Sequence, residues 1–180
     1  MSITNWKDLY LELSGKLRSG VPELNWIDLW ANQVNALADE HPFPAPAAFI
    51  EFRILEADDE GNLAQQLHTQ VDVYLFYETF ADTFDGAGNQ TQALAYLDML
   101  TAIHRTLHGT SGQTYSEMRR VGMAPVDTGT AGNLYRMSFV CLVTDLSASP
   151  ELPTAVPGDI NLSEGEEPPA NPEPPLFQIQ

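Results

Sequence analysis

Two histidines near the middle of the chain have a spacing that could hold a metal ion. His104 and His108 stand four residues apart, which places both imidazoles on one face of a helix. Arg105, however, occupies the position where a zinc protease of this kind has its catalytic glutamate, and no third ligand lies nearby. Histidines at the end of a helix also interact favourably with the helix dipole. We therefore predict a structural histidine pair, with no bound metal or cofactor.

No other set of residues in the sequence predicts catalysis. Gly86 and Gly88 lack the third glycine of a dinucleotide-binding loop, and the acidic segments 58–62 and 82–89 lack the ligand pattern of a calcium loop. No hydrolase nucleophile motif or phosphate-binding loop occurs. The one cysteine, Cys141, lies in an apolar strand pattern that predicts a buried, inert thiol. We expect that the protein is not an enzyme.

The charge balance is strongly acidic, with 25 Asp and Glu residues against 8 Lys and Arg. Binding to a phosphate backbone needs clustered Lys and Arg, so direct nucleic-acid binding is disfavoured. An acidic surface can instead let DNA pass without adhering to it. Arg119 and Arg120 are the one pair of adjacent basic residues. We expect them on a strand edge, either solvated or facing an acidic neighbour at an interface.

The sequence predicts neither a membrane segment nor a secretion signal. No run approaches the roughly 20 apolar residues that a membrane helix needs. The N-terminus lacks the charged-then-apolar pattern of a signal peptide. We expect a protein made in the cytosol, without a membrane partner.

The element that must position the two histidines is a predicted amphipathic helix over residues 89–107. Its apolar residues recur at steps of three and four, which aligns them along one stripe of a helix. The stripe consists of Ala93, Tyr96, Leu97, Leu100, Ile103 and Leu107. Asn89 or Thr91 can cap its start. Gly109 follows its end, where a left-handed residue is common.

Strand patterns lie on both sides of this helix. Alternating apolar and polar residues predict four strands, at residues 48–55, 65–78, 114–126 and 134–146. In the second strand, the odd-numbered residues from 67 share one face and the even-numbered residues from 68 share the other. The segment 56–62, which contains Asp, Gly and Asn, predicts a turn or a short loop.

A further predicted helix precedes the strands, over residues 4–17, capped by Thr4 and ended by Gly20 and Pro22. Residues 23–40 fit either a short strand or helical turns, and we favour irregular or short helical structure. The order is helix, hairpin, helix, hairpin. It predicts an α+β fold, in which two antiparallel hairpins form one sheet packed against the central helix.

The C-terminal stretch differs in composition from the rest of the chain. Residues 145–180 contain 8 of the 13 prolines and no Lys or Arg. We therefore divide the chain into an α+β domain over residues 1–146 and an acidic, proline-rich arm over residues 147–180. The arm is either a solvated tail, as its composition favours for an isolated monomer, or an extended segment lying on a neighbouring subunit. Its apolar end marks interface residues, which are Leu176, Phe177 and Ile179.

Four stretches carry a resemblance to a known family. They read Phe43-Pro-Ala-Pro-Ala-Ala-Phe-Ile-Glu-Phe, Gln70-Val-Asp-Val-Tyr-Leu-Phe-Tyr, Ile103-His-Arg-Thr-Leu-His-Gly and Tyr135-Arg-Met-Ser-Phe. With the order of elements over residues 1–146, this pattern resembles the tail-terminator and tail-completion proteins of tailed bacteriophages. The acidic arm lies outside the resemblance. Head–tail connector (neck) proteins have related small folds.

The resemblance implies a structural virion protein that assembles in the host cytoplasm. Members of this family form a ring, commonly a hexamer, that ends polymerisation of the tail tube and docks to the head connector. The expected partners are thus other copies of this chain, the tail-tube protein and the head–tail connector protein, and DNA passes through an acidic bore without specific binding. Rival interpretations are a neck ring protein, a non-viral α+β protein-binding adaptor, and a small metal-dependent enzyme using His104 and His108.

Overall fold

A computed structural model describes residues 1–36, 43–78, 81–127 and 133–150 of the chain. Residues Met1–Pro150 form one compact unit. Three predicted features lie wholly or mostly outside the described residues: the end of the segment 23–40, the loop near residue 130, and most of the arm, with Leu176, Phe177 and Ile179. The elements are β1 (Ser2–Ile3), α1 (Trp6–Gly20), β2 (Trp26–Leu29), a short 3-10 helix (Gln33–Ala36), β3 (Ala47–Gly61), β4 (Ala64–Tyr77), α2 (Gln90–Ala93), α3 (Ala95–Leu107), β5 (Ser116–Pro125) and β6 (Asn133–Asp145).

The described strands form one mixed sheet, and both predicted hairpins are confirmed. β3 pairs antiparallel with β4, and β5 pairs antiparallel with β6. The hairpins are joined through β4 and β6, which are antiparallel from Gln65↔Asp145 to Tyr77↔Asn133. β2 extends the sheet beside β3, and β1 pairs with the end of β6; both of these contacts are parallel. The α+β class is therefore correct, with two short strands more than the pattern predicted.

One face of the sheet packs against α1 and α3. Leu9, Leu13 and Leu17 recur every fourth residue of α1 and are fully buried, as the amphipathic pattern requires. They join Ile103 of α3 and the odd-numbered side of β4, including Val71, in the main core. Burial of such apolar side chains is the dominant favourable contribution to folding.

A second, smaller core covers part of the opposite face. Tyr74 and Phe76 of β4 pack there with Phe49 of β3. Trp30 stacks on Tyr74 with ring centroids 4.2 Å apart, and Phe43 meets Phe49 edge-on at 4.9 Å. The even-numbered side of β4 is thus buried in part by residues of the chain that connects β2 to β3. The predicted division of β4 into two faces is confirmed.

The helices differ from the prediction at their ends and in one break. Asn5, not Thr4, caps α1, because its side chain accepts a hydrogen bond from the Lys7 backbone N–H at 2.9 Å. The predicted central helix is divided at Leu94 into α2 and α3. The N–H of Leu97 donates to the carbonyl of Leu94, three residues earlier, and α3 begins at Ala95. Asn89 makes no capping hydrogen bond to α2, whereas Gly109 has the expected positive φ, 73°.

The predicted stripe of the central helix is also wrong at one position. Leu97 is exposed, whereas Met99, which the pattern leaves out, is buried in the main core. The other apolar positions of α3, including Leu100 and Leu107, face the core as expected.

Two strand assignments in the prediction are wrong. In the segment 23–40, Trp26–Leu29 is the strand that we did not favour, because it pairs in parallel with residues 47–50 at an edge of the sheet, whereas Gln33–Ala36 is a short helix, as favoured. The segment 56–62 is not a loop: β3 continues through a bulge near Ile54 as far as Gly61, and β4 begins at Ala64. Asn62 and Leu63 alone form the connection, with φ of 51° and 61°. Two residues of positive φ make a tight turn that matches the twist of paired strands.

Candidate functional site

The predicted histidine pair lies at the junction of α3 and β5. The rings of His104 and His108 are 4.6 Å apart, and Nδ1 of His108 accepts a hydrogen bond from the backbone N–H of Arg120 at 3.1 Å. Burial, Arg120 and His108 each lower the pKa of His104. Within the described residues, no group of three His, Cys, Asp or Glu side chains could hold a metal ion. The bond to His108 links the end of α3 to β5, whereas Nδ1 of His104 is buried and has no hydrogen-bond partner among the described residues.

A cavity of about 550 Å³ opens beside this junction. It lies at a bulge in the pairing of β5 with β6. Ser116 pairs with Leu142 and Arg119 pairs with Val140, so β5 has one residue more than β6 between these two pairs. Glu117, at this bulge, has a positive φ of 34°. Such bulges redirect side chains at the edges of sheets. We call this hollow the β5 cavity; its lining is His68, His108, Gly109, Ser116, Glu117, Met118, Arg119, Val140, Cys141 and Leu142.

The β5 cavity combines apolar residues with two exposed side chains of opposite charge, Glu117 and Arg119. Met118 and Cys141 are buried, while Arg119 is exposed at the rim. Neither Arg119 nor Arg120 forms an ion pair within the described part of the chain. Burial raises the pKa of the Cys141 thiol to about 12, so the thiol stays protonated and unreactive, as the sequence predicts. The apolar surface that the cavity exposes is therefore that of Val140 and Leu142, and the charges of Glu117 and Arg119 offset each other.

The second unusual surface is the distal half of the β3–β4 hairpin. Every residue from 53 to 63 is exposed. β2 pairs with β3 only as far as Ile50, so the outer edge of β3 beyond that residue has no partner strand among the described residues. We call residues 55–63 the hairpin tip. It contains two exposed leucines, Leu55 and Leu63, and four carboxylates, which are Glu56, Asp58, Asp59 and Glu60.

A polar cluster lies on β4, on the face opposite the helices. The hydroxyl of Tyr74 donates to Glu51 at 2.7 Å, and Gln70 donates to Asp72 at 2.8 Å. Burial, together with the bond to Glu51, raises the pKa of Tyr74 to about 12. Asp72 is 1% exposed, and its Oδ1 has no hydrogen-bond partner among the described residues. These groups connect β3 to β4, and they do not place a nucleophile beside a base.

The predicted interface residues are only partly described. Arg119 and Arg120 lie on the edge strand β5, as expected, and Arg119 lines the β5 cavity. Leu176, Phe177 and Ile179 fall outside the described residues. Sequence reasoning missed the hairpin tip because its charges were interpreted as a loop. The signal that could have found it is Asn62, a residue type that tolerates the left-handed φ which the first position of a two-residue connection needs.

Comparison of the chain with models of known protein families and with curated proteins gives no match. Within the described residues, no helix combines the length and the apolar character needed to cross a membrane.

Proposed function

We propose that this protein is a structural virion protein that forms a ring at the head-proximal end of a bacteriophage tail. The ring ends polymerisation of the tail tube and joins the tail to the head connector. It assembles in the host cytoplasm from copies of this chain, its role is structural and not catalytic, and its acidic bore lets DNA pass. The expected copy number is six, as in the family that the sequence resembles.

The observation that carries this proposal is the exposed hairpin with its free strand edge. The outer edge of β3 from residue 51 to Gly61 has no partner strand in the described part of the chain. Natural proteins usually shorten, charge or cover such edges, because they pair with other chains. Here the edge is charged but neither short nor covered among the described residues, and it carries the exposed apolar side chains Ile54 and Leu55. A protein that functions in an assembly has a use for such a surface.

The charge distribution supports the same proposal. The chain has a formal net charge of -17, and exposed carboxylates occur both on the hairpin tip and on α3, at Asp98. A tail end must conduct DNA without retaining it, and a bore lined by carboxylates repels phosphate. The order of helices and hairpins, on which the resemblance to tail terminators depends, is compatible with the sheet described above.

The test is a tube-capping experiment. A tail-tube protein encoded near this gene is allowed to polymerise alone and with increasing amounts of the purified protein, and tube lengths are measured by negative-stain electron microscopy. We expect shorter tubes, with a ring at one end of each. The control is the same addition made to finished tubes, which should acquire rings without becoming shorter.

Two results would count against this function. Tubes of unchanged length without terminal rings would contradict a terminator, and a gene neighbourhood without portal, capsid or tail-tube genes would contradict a phage tail protein. Binding to the head connector protein without any effect on tubes would favour the neck protein instead.

A further inference from the structure

We propose that the outer edge of β3 binds a basic, extended segment of a different protein, which adds a strand to the sheet. We call this surface the β3 edge; it consists of residues 51–61. The inference rests on the proposed function, because it names the chemistry of the partner at the edge that carries that proposal. Three observations support it: the direction of the backbone groups, an apolar pocket beside them, and the charge of the edge.

The β3 edge continues the line along which β2 already pairs. The N–H of Trp30 donates to the carbonyl of Ile50 at 2.9 Å, so the backbone groups of Ile50 point away from β4. Because a strand directs the backbone groups of alternate residues to the same side, those of Phe52 and Ile54 also point outward. β2 itself ends at Leu29 and pairs no further than Ile50. The outward N–H and C=O groups of Phe52 and Ile54 therefore have no strand partner within the described part of the chain.

An apolar hollow lies beside these backbone groups. It has a volume of about 310 Å³ and is lined by Trp6, Phe52 and Ile54. The rings of Trp6 and Phe52 are half-buried with centroids 5.9 Å apart, and Ile54 is 50% exposed. Every second side chain of a strand added at this edge faces the same side as the hollow. In strand addition the backbone bonds give affinity, and such pockets select the side chains.

The charge of the β3 edge determines the charge of the partner that fits it. Residues 51–60 contain five carboxylates and one cation, Arg53. Four of these carboxylates belong to the hairpin tip and are exposed. Lys7 and Asp8, which follow Trp6 on α1, offset each other in formal charge. The edge is therefore negative, and a segment in which Lys or Arg accompanies apolar residues is complementary to it.

Other copies of this chain do not offer such a segment within the described residues. A second β3 edge would bring carboxylates opposite carboxylates, which is unfavourable. The outer side of β5 is already bonded, because Met118 donates to Thr110 at 2.8 Å and Arg120 donates to His108 at 3.1 Å. β5 then ends at Pro125, which has no N–H to donate. β1, β2 and the acidic arm contain no Lys or Arg. The matching partner is thus a different chain.

The first experiment measures the binding of short synthetic peptides to the full-length protein by fluorescence anisotropy. One peptide alternates Lys with Val, and the other has Glu in place of Lys. We expect the Lys peptide to bind about tenfold or more tightly than the Glu peptide. Equal affinities would overturn the proposed partner chemistry.

Charge variants locate the peptide on the protein. The double variant Glu56→Gln, Asp58→Asn neutralises two carboxylates of the β3 edge and should bind the Lys peptide about tenfold more weakly. The control is the double variant Asp85→Asn, Asp98→Asn, which removes the same charge from exposed positions outside β3 and β4 and should bind normally. An equal loss in both double variants would overturn binding at the edge.

A proline substitution separates strand addition from attraction between charges. Ile54→Pro removes the outward N–H without changing the net charge, and edge strands tolerate proline where the N–H faces away from the sheet. We expect binding of the Lys peptide to fall about tenfold or more. Ile54→Ala, which keeps the N–H, is the control for the lost side chain and should bind with intermediate affinity. Equal binding by Ile54→Pro and the natural chain would overturn strand addition.

Hydrogen exchange in the natural chain tests the same contact without any substitution. Saturation with the Lys peptide should slow exchange of the Phe52 and Ile54 amides about tenfold or more. The amide of Arg53, which faces β4, is the internal control and should be unchanged. Unchanged exchange at Phe52 and Ile54 would overturn the inference even if the proline variant fails to fold.

The other outcomes separate this inference from the proposed function. Tube capping by a protein that does not bind the Lys peptide would overturn the partner chemistry and leave the function intact. Peptide binding that depends on the β3 edge, without tube capping, would support strand addition and contradict the terminator. If Ile54→Pro dissociates assemblies of the natural chain and the peptide does not bind, the occupant of the edge is a second copy and the inference is overturned.

Discussion

At the scale of single residues, Glu12 makes a concentrated set of polar contacts. Its carboxylate accepts hydrogen bonds from the backbone N–H groups of Gln113 and Thr114 and from the Thr114 hydroxyl, at 3.1, 3.0 and 2.7 Å. It also forms an ion pair with Lys16 at 3.5 Å. One side chain of α1 thus holds the loop that leads into β5. No sequence pattern indicates this contact, because its partners lie in distant segments of the chain.

The pKa of Glu12 makes its contribution to stability depend on pH. Burial raises this pKa, but the donors of Thr114 and Gln113 and the charge of Lys16 outweigh burial, so it lies below its ordinary value of 4.5. The contribution is therefore complete above that value and is lost as the pH falls through the lowered pKa. We expect Glu12→Gln to reduce the free energy of unfolding at pH 7 by about 1–2 kcal/mol. Urea unfolding should show this difference shrinking as the pH falls from roughly 5 to 3.

The matched control for Glu12 is Glu23→Gln, because Glu23 is exposed. It should leave the urea midpoint nearly unchanged over the same range of pH. If the loss of unfolding free energy in Glu12→Gln stays constant across that range, the charge of the Glu12 carboxylate does not contribute to stability.

At the scale of elements, the contact of α1 with α3 depends on Gly20. A Cβ at this position would collide with the side chain of Thr106 on α3. We expect Gly20→Ala to destabilise the protein by about 1–3 kcal/mol, since the helices must separate or Thr106 must leave its rotamer. Gly15, on the same helix, is the control, because a Cβ there would have no neighbouring atom within 4 Å. Thermal unfolding should show the contrast, since Gly15→Ala should stabilise α1 by about 1 kcal/mol through helix propensity.

The elements differ in how far the sequence predicts them. The alternation in β4 and the spacing in α1 predict both elements, because each pattern follows directly from which side is buried. The sequence leaves β2 undecided between strand and helical turns, because Trp26 and Ile27 do not alternate with polar residues and the pairing with β3 joins separate segments. The break at Leu94 has no glycine or proline to mark it. The sequence does not decide between Thr4 and Asn5 as the cap of α1, because both Thr and Asn favour that position.

The candidate site was less predictable than the fold for a physical reason. Arg119 could be placed on a strand edge from its neighbours, but the cavity beside it depends on a bulge, which pairing with β6 creates. Prediction of the hairpin tip required knowing that β3 continues past Glu56. Both features arise from the register of strands, and a single sequence specifies register only weakly where residues are polar on both faces.

At the scale of the whole molecule, the acidic arm is expected to strengthen assembly without stabilising the domain. Met1–Pro150 form a compact unit by themselves. Removal of residues 151–180 should therefore leave the melting temperature nearly unchanged and lower the mass of the assembly measured by light scattering. The physical reason is the loss of an apolar segment that, in our interpretation, binds a neighbouring subunit.

A full-length variant with serine at the three apolar positions of the arm is the control for that truncation. The substitutions are Leu176→Ser, Phe177→Ser and Ile179→Ser, and they should reproduce the loss of mass. Normal assembly of the truncated protein would contradict this role of the arm. The arm would then be a solvated tail, and the ring would form through contacts of the domain alone.

The central position of β6 has a consequence for how the chain reaches its native state. β6 is the last described strand, yet it pairs with β4, β5 and β1. During synthesis, the first hairpin and both larger helices therefore emerge before the strand that joins them. Until β6 arrives, the inner edge of β4 is unpaired, and contacts of long sequence separation form slowly. The nascent chain must pass through a stage in which an apolar strand edge is open, so its yield should depend on chaperones that shield such edges.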